Sequence, residues 1–317
     1  MLSSGAIDML GLITTDWAKL RRWREAPQTL ASQDLTAIRA SGIAAFHPAV
    51  NLRGANPAGP TARWLEGWSR FCSYHPSAFV LIQSEADLEQ VSANGPAGIL
   101  LGVQNATHFA STADVRRFAE LGQRVSQLTY NSANRLGSGC YSARDGGLTA
   151  FGTAIVEAMN VEGMLIDVSH CGPRTTLDAV EASSRPVVAS HSNCLALTPG
   201  EPRCKSDEVI RRIAARGGVI GLTAIRKFVA PHDQASLDNL LDHFDHVTRL
   251  VGVQHVGIGS DADLEGRQPV IPELAHPEFL YAITDGLIRR GYTSSELGLI
   301  LAGNFRRVLR QTLPALF

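Results

Sequence analysis

What this chain lacks narrows its function before any motif is read. It lacks net charge: 29 basic residues stand against 30 acidic ones, a formal −1, so no electrostatic argument favours nucleic acid or an anionic membrane as partner. It lacks long apolar runs, none approaching the ~20 residues of a membrane span. Its first residues, MLSSGAIDMLGLITTDW, carry no basic stretch before the apolar one and meet Asp8 early, which argues against a signal peptide. Its cysteines are Cys72, Cys140, Cys171, Cys194 and Cys204, odd in number and without a CxxC pair. That pattern suggests free thiols in a reducing cytoplasm, not a disulfide framework. Finally, neither GxGxxG nor GxxxxGK follows an apolar run, which disfavours an open dinucleotide-binding sheet.

What is present is ordinary for a globular protein: 44% hydrophobic and 19% charged residues. Apolar, often β-branched runs recur at 6–12, 43–50, 97–103, 125–130, 164–168, 186–189, 218–223 and 256–260, with a short extra run at 79–83. Helical periodicity occupies 31–40, 61–74, 85–91, 149–160, 206–215 and 237–251, then 277–313 with a break at Gly291-Tyr292-Thr293. Eight buried strands alternating with helices predict one (β/α)8 barrel over residues 1–317, a single domain with C-terminal helices. The Pro/Gly-rich stretch at 54–60 is too short to divide domains, and no internal repeat is evident.

The stretch MLIDVSHCGPRTTLDAVEASSRPVVASHS, residues 164–192, organises the rest. Two apolar runs each end in Ser-His, at His170 and His191, and 175–184 between them can form a helix with Leu177 and Val180 on one face. Strand, helix, strand makes the two strands parallel neighbours. Each histidine then lies just past a strand's C-terminal end, where barrels of this kind place their chemistry. Two imidazoles so placed can reach one metal ion. The other strand ends supply Leu10 or Leu12, His47, Gln104, Tyr130, the 224–226 region and Asp261. Histidines holding a cation that activates water, beside an aspartate that moves protons, form a constellation for metal-assisted hydrolysis.

Blander readings stand beside these. His47, before a proline, reads as a loop-satisfying or substrate-facing residue, with a substitute metal ligand as the alternative. Cys171 and Cys194 read as small buried hydrophobes before they read as thiolate ligands. His75, His108, His232, His243, His246, His255 and His276 fall on helices, loops or strand starts and are given no chemistry. Arg203 alone would be a surface residue leading into the helix that Ser206 caps.

The segments LGQRVSQLTYN, LTAFGTAIVEAMNVEGMLIDVSHCGPRTTLDAV, RPVVASHSNC, HVGIGSDAD and LIRRGYTSSELGLILAGNFRRVL together resemble the membrane (renal) dipeptidase family, peptidase family M19, of the amidohydrolase superfamily. The resemblance runs from about residue 6 to 309. It implies a metallo-dependent hydrolase barrel, commonly a homodimer, with two zinc ions in active members and proteolysis of dipeptides or related small amides. Carried over, it makes His170 and His191 the ligands of one zinc and Asp261 the proton-transfer residue. It makes Arg203, in PRCKSDE, the contact to the substrate carboxylate.

Departures from the pattern alter that expectation. The family's HxD on the first strand, typically inside DxHxD, is Leu10 and Leu12 here. Its bridging glutamate on the third strand is Gln104, and its substrate-contacting histidine on the fourth is Tyr130. Leucine cannot bind a cation, and a neutral glutamine cannot supply the charge between two divalent ions. The changes resemble a bacterial-type branch of the family. The expectation is therefore a cytoplasmic hydrolase of dipeptides or small carboxylated amides with at most one zinc per chain. Tyr130, Gln104 and Arg203 would contact the substrate. The alternative is a repurposed or inactive barrel that binds a small carboxylated ligand.

Overall fold

The computed structural model describes residues 5–52, 54, 56–231 and 235–315; His232 lies outside them. Among the described residues ten short strands are formed: β1 Ala6–Asp8, β2 Ile43–Phe46, β3 Phe79–Leu81, β4 Ala97–Ile99, β5 Gly102–Val103, β6 Val125–Gln127, β7 Leu165–Asp167, β8 Val187–Val188, β9 Ile220–Leu222 and β10 Val256–Ile258. Every pairing between them is parallel. One sheet runs β3-β4-β2-β1-β10-β9 and the other β5-β6-β7-β8. Isolated parallel bridges Val50↔Val103 and Ala189↔Ile220 join the two. Backbone bonds across those joins, Gln104 N–H to Val50 O at 2.8 Å and Gly221 N–H to Ala189 O at 2.8 Å, complete the ring. β4 and β5 are successive parts of one barrel strand, and β3 adds to β4 outside the ring. The eight runs read from the sequence are the eight staves of a (β/α)8 barrel.

Strand residues are buried because helices cover the outside and side chains fill the inside. Ile7 of β1, Val125 of β6, Leu165 of β7 and Val188 of β8 share a cluster with Val219, Phe305 and Val308. Phe305, from the helix Asn304–Thr312, packs on two glycines: a Cβ at Gly257 would lie 2.5 Å from its ring and one at Gly221 3.2 Å. Glycine at those positions lets the C-terminal helix seat an aromatic ring on β9 and β10.

Besides the single turn Arg226–Val229, two outer helices were not read from the sequence. Trp17–Glu25 buries only Leu20 and Trp23 among basic residues, and Thr112–Glu120 has a similarly narrow apolar face. Asp16 fixes the start of the first by accepting from Ala18 and Lys19 N–H. Among the described residues no helix is long and apolar enough to cross a membrane.

Candidate active site

The mouth of the barrel is built where strands end in polar residues. The β7 run ends in Asp167, and the chain turns there through Ser169 and His170. A carboxylate that is 2% exposed must be satisfied internally. Asp167 Oδ1 accepts from Ser169 N and Oγ at 2.9 and 2.6 Å and from Ser190 N at 3.0 Å, while Oδ2 accepts from Ser190 Oγ at 2.6 Å. One buried carboxylate thus ties the loops after β7 and β8 together, and those loops carry His170 and His191.

The two imidazoles meet with their Nε2 atoms 3.1 Å apart. Their other nitrogens are fixed. His170 Nδ1 lies 2.6 Å from Asn131 Oδ1, an acceptor, so Nδ1 carries the proton. His191 Nδ1 lies 2.7 Å from Ser190 Oγ, whose single hydrogen is already given to Asp167. That nitrogen is therefore also the donor. Both neutral rings then point an unprotonated Nε2 at the same spot. Lone pairs at this distance repel unless a cation or a proton lies between them. Burial, then the Arg203 charge, hold both histidines well below their ordinary pKa, with Lys205 adding to the effect. Neutral imidazole is the metal-binding form.

Tyr130, at the end of the β6 run, stacks on His170 with ring centroids 4.0 Å apart and 20° between planes. The next residue, Asn131, has φ 65°, a left-handed conformation that asparagine adopts more readily than most residues. It turns the side chain to meet His170.

Across the mouth, Asp8 of β1 repeats the Asp167 arrangement, accepting from Leu10 N, Ser260 N and Ser260 Oγ. It is a fastener between β1 and β10. Leu10 is fully buried beside it. Asp261 follows with φ 54° and donates its N–H to Leu10 O at 2.9 Å. Burial pushes its carboxyl up to about 7, against the pull of Arg203 and with the help of Asp8. It can therefore exchange a proton near neutral pH.

Arg203 is 1% exposed, not the surface residue that its loop position alone suggests. Nη1 donates to Ser192 Oγ at 3.0 Å and Nη2 to His191 O at 2.6 Å. Each Nη keeps a second N–H, and Nε has no partner among the described residues. Lys205 is buried nearby, donating Nζ to Val168 O and Cys171 O at 2.8 and 2.9 Å, and burial lowers its pKa to about 8. Two buried cations without an ion-pair partner among the described residues make this side of the mouth receptive to an anion.

The remaining candidates sort clearly. His47 donates Nδ1–H to Met9 O, 2.6 Å away, and its Nε2 is buried against Gly102, where a Cβ would come within 1.9 Å. Gln104 sits at the end of β5 with its backbone carbonyl taken by Gln127 Nε2 at 2.7 Å. Cys171 is buried and its thiol is pushed up to about 11, so it supplies no thiolate at neutral pH. Among the described residues no three His, Cys, Asp or Glu side chains stand together as a metal-binding group. Leu10 offers a metal no donor, and Gln104 offers no charge. The imidazole pair fits two ligand positions of a single ion.

Sequence reasoning missed Asn131, Asp167 and Ser190. Asp167 and Asp8 did carry a signal, since a carboxylate inside a three-residue buried strand must have fixed partners.

A family model described as membrane dipeptidase (peptidase family M19) matches residues 35–315. An uncharacterized dipeptidase of Schizosaccharomyces pombe is 31% identical over 228 residues, 69% of this chain and 54% of that protein. The dipeptidase verJ of Clonostachys rogersoniana is 36% identical over 188 residues, 58% of this chain and 47% of that one. The chain spans about half the length of these curated relatives. A solved amidohydrolase from Pseudomonas aeruginosa superposes with a TM-score of 0.84 at 26% identity, covering 98% of this chain and 96% of that one.

Proposed function

This chain belongs to the membrane dipeptidase family, peptidase family M19, and from that membership we propose that it hydrolyses a dipeptide or related small carboxylated amide at the barrel mouth. The metal site in this reading is reduced to at most one zinc. The observation that carries it is the His170–His191 pair, two neutral imidazoles aimed at one point 3.1 Å apart with both outer nitrogens anchored. Zinc held by the pair would supply Lewis acidity and a water of pKa near ~7.

The chain's own residues have separate tasks. The free N–H groups of Arg203 orient the substrate carboxylate, and the neighbouring charge of Lys205 favours the same group. Asp261, poised at about 7, takes a proton from the attacking water and returns it to the leaving amine. Tyr130 and Gln104 contact the substrate with neutral hydrogen-bonding groups. Tyr130 also holds the plane of His170 by stacking.

The buried apolar Leu10 and the neutral Gln104 favour a second reading, a barrel that binds such a carboxylated ligand without hydrolysing it. Elemental analysis together with a panel of dipeptides and N-acyl amino acids separates the two. The expected result is no more than one zinc per chain, with turnover that a chelator removes. Two zincs retained through mild chelation refute the reduced site. Binding without turnover selects the second reading. Arg203→Ala should weaken carboxylated ligands by ~1.5–3 kcal/mol; equal affinity in both proteins removes Arg203 from the site.

A further inference from the structure

We propose that the groove between the helices Trp17–Glu25 and Ala58–Tyr74 binds a planar aromatic anion of nucleotide size, at a site separate from the histidine pair. The groove has a volume of about 440 Å³, within the range of small-molecule sites. Helical spacing builds it. Trp17, Arg21 and Arg24 recur at i, i+4 and i+7 on one helix, and Pro60, Arg63, Trp64, Gly67 and Arg70 recur at three- and four-residue intervals on the other. Each sequence therefore turns an arginine and tryptophan stripe toward the same space.

Gly67 lets the stripes approach, since a Cβ there would lie 2.9 Å from Arg24 Cβ. Among the described residues, four arginines line the groove against Glu25 and Glu66. None of these six forms an ion pair among the described residues. A solvated helix face usually mixes its signs and pairs them; two facing stripes of one sign repel each other until an anion enters. Arg70 is instead turned to the backbone, donating Nη1 to Arg24 O at 3.0 Å.

The aromatic half of the ligand is inferred from the indoles. Trp17 is 59% exposed, and its ring lies 6.2 Å from that of Trp64. Trp64 already carries a guanidinium on its face, with Arg24 Cζ 4.3 Å from the ring centre. A second planar group can stack on the open face of Trp17 while its acidic end reaches Arg21 or Arg63, both exposed. Stacking on an exposed indole tolerates any flat ring, so the class is set by flatness plus negative charge.

Calorimetry on the intact protein, with AMP, adenosine and inorganic pyrophosphate as probes, tests this. AMP should bind saturably, with quenching of tryptophan fluorescence and affinity that falls as salt rises. Adenosine and pyrophosphate should each bind roughly tenfold more weakly or worse, as should AMP to Trp17→Ala or Arg63→Ala. Both substitutions lie at exposed positions, and unchanged thermal unfolding of the variants will show that the fold is intact. No AMP binding up to millimolar concentration overturns the proposal. So does either half-molecule binding as tightly as AMP, or an acidic peptide binding where AMP does not. The Trp17→Ala and Arg63→Ala variants tell binding in the groove from binding at the cationic mouth, so failure here leaves the hydrolytic reading standing.

Discussion

Replacing Asp261 with asparagine should make the protein more stable and less active at once. Its carboxyl is pushed up to about 7 from an ordinary 3.8, so folding is penalised whenever the group must ionise. The sign follows from the raised value: the stabilising contribution is present below about 3.8 and is lost as pH rises through about 7. Two of those pH units lie between pH 5 and 7 and correspond to at most about 3 kcal/mol. Solvent reaching the partly open side chain reduces this to ~1–2 kcal/mol. Asparagine has nearly the same shape and no charge to lose. It also tolerates φ 54°, so backbone strain should not mask the effect.

Urea denaturation of wild type and Asp261→Asn at pH 5 and pH 8.5 reads the result. The advantage of the variant should be ~1–2 kcal/mol larger at the higher pH, and hydrolysis should fall by ~100-fold or more. An advantage independent of pH would show that Asp261 is ionised in the native state at pH 5, and the proton-transfer role would fail with it.

Two other perturbations test the frame around the histidines. Gly102→Ala should cost ~1–3 kcal/mol by overpacking against the His47 ring, and His47→Ala in the same chain should recover most of that loss; additive costs in a denaturation cycle would show that the two do not touch. Asn131→Gly keeps the left-handed backbone but removes the acceptor for His170 Nδ1, so zinc affinity by competition titration should drop ~10–100-fold with little change in stability. Unchanged affinity would mean that the imidazole is oriented by Tyr130 alone.

The barrel was legible because each stave is a short apolar run bounded by a helical pattern, and burial on both faces leaves little else for such a run to be. The histidine pair was legible for the same reason: Ser-His after each of two consecutive staves fixes where both rings emerge. What holds them was less so. Asn131 and Ser190 act through hydrogen bonds between loops after different strands, and one sequence carries no mark of which loops meet. The burial of Arg203 was hidden likewise, since its loop looks polar until Ser192 and the His191 carbonyl are brought against it. The helix Trp17–Glu25 escaped because a charge-rich stripe obscures its two buried residues.

Lys205 has a use beyond bracing the loop. An amine of pKa about 8 is about half unprotonated at pH 8, reactive enough to be acylated, yet it is 3% exposed and its nitrogen faces two carbonyls. Reagent can reach it only when the loops after β7 and β8 separate. The rate at which Lys205 is modified is therefore a clock for that separation, and ligands that close the mouth should slow the clock in proportion to the time they spend bound.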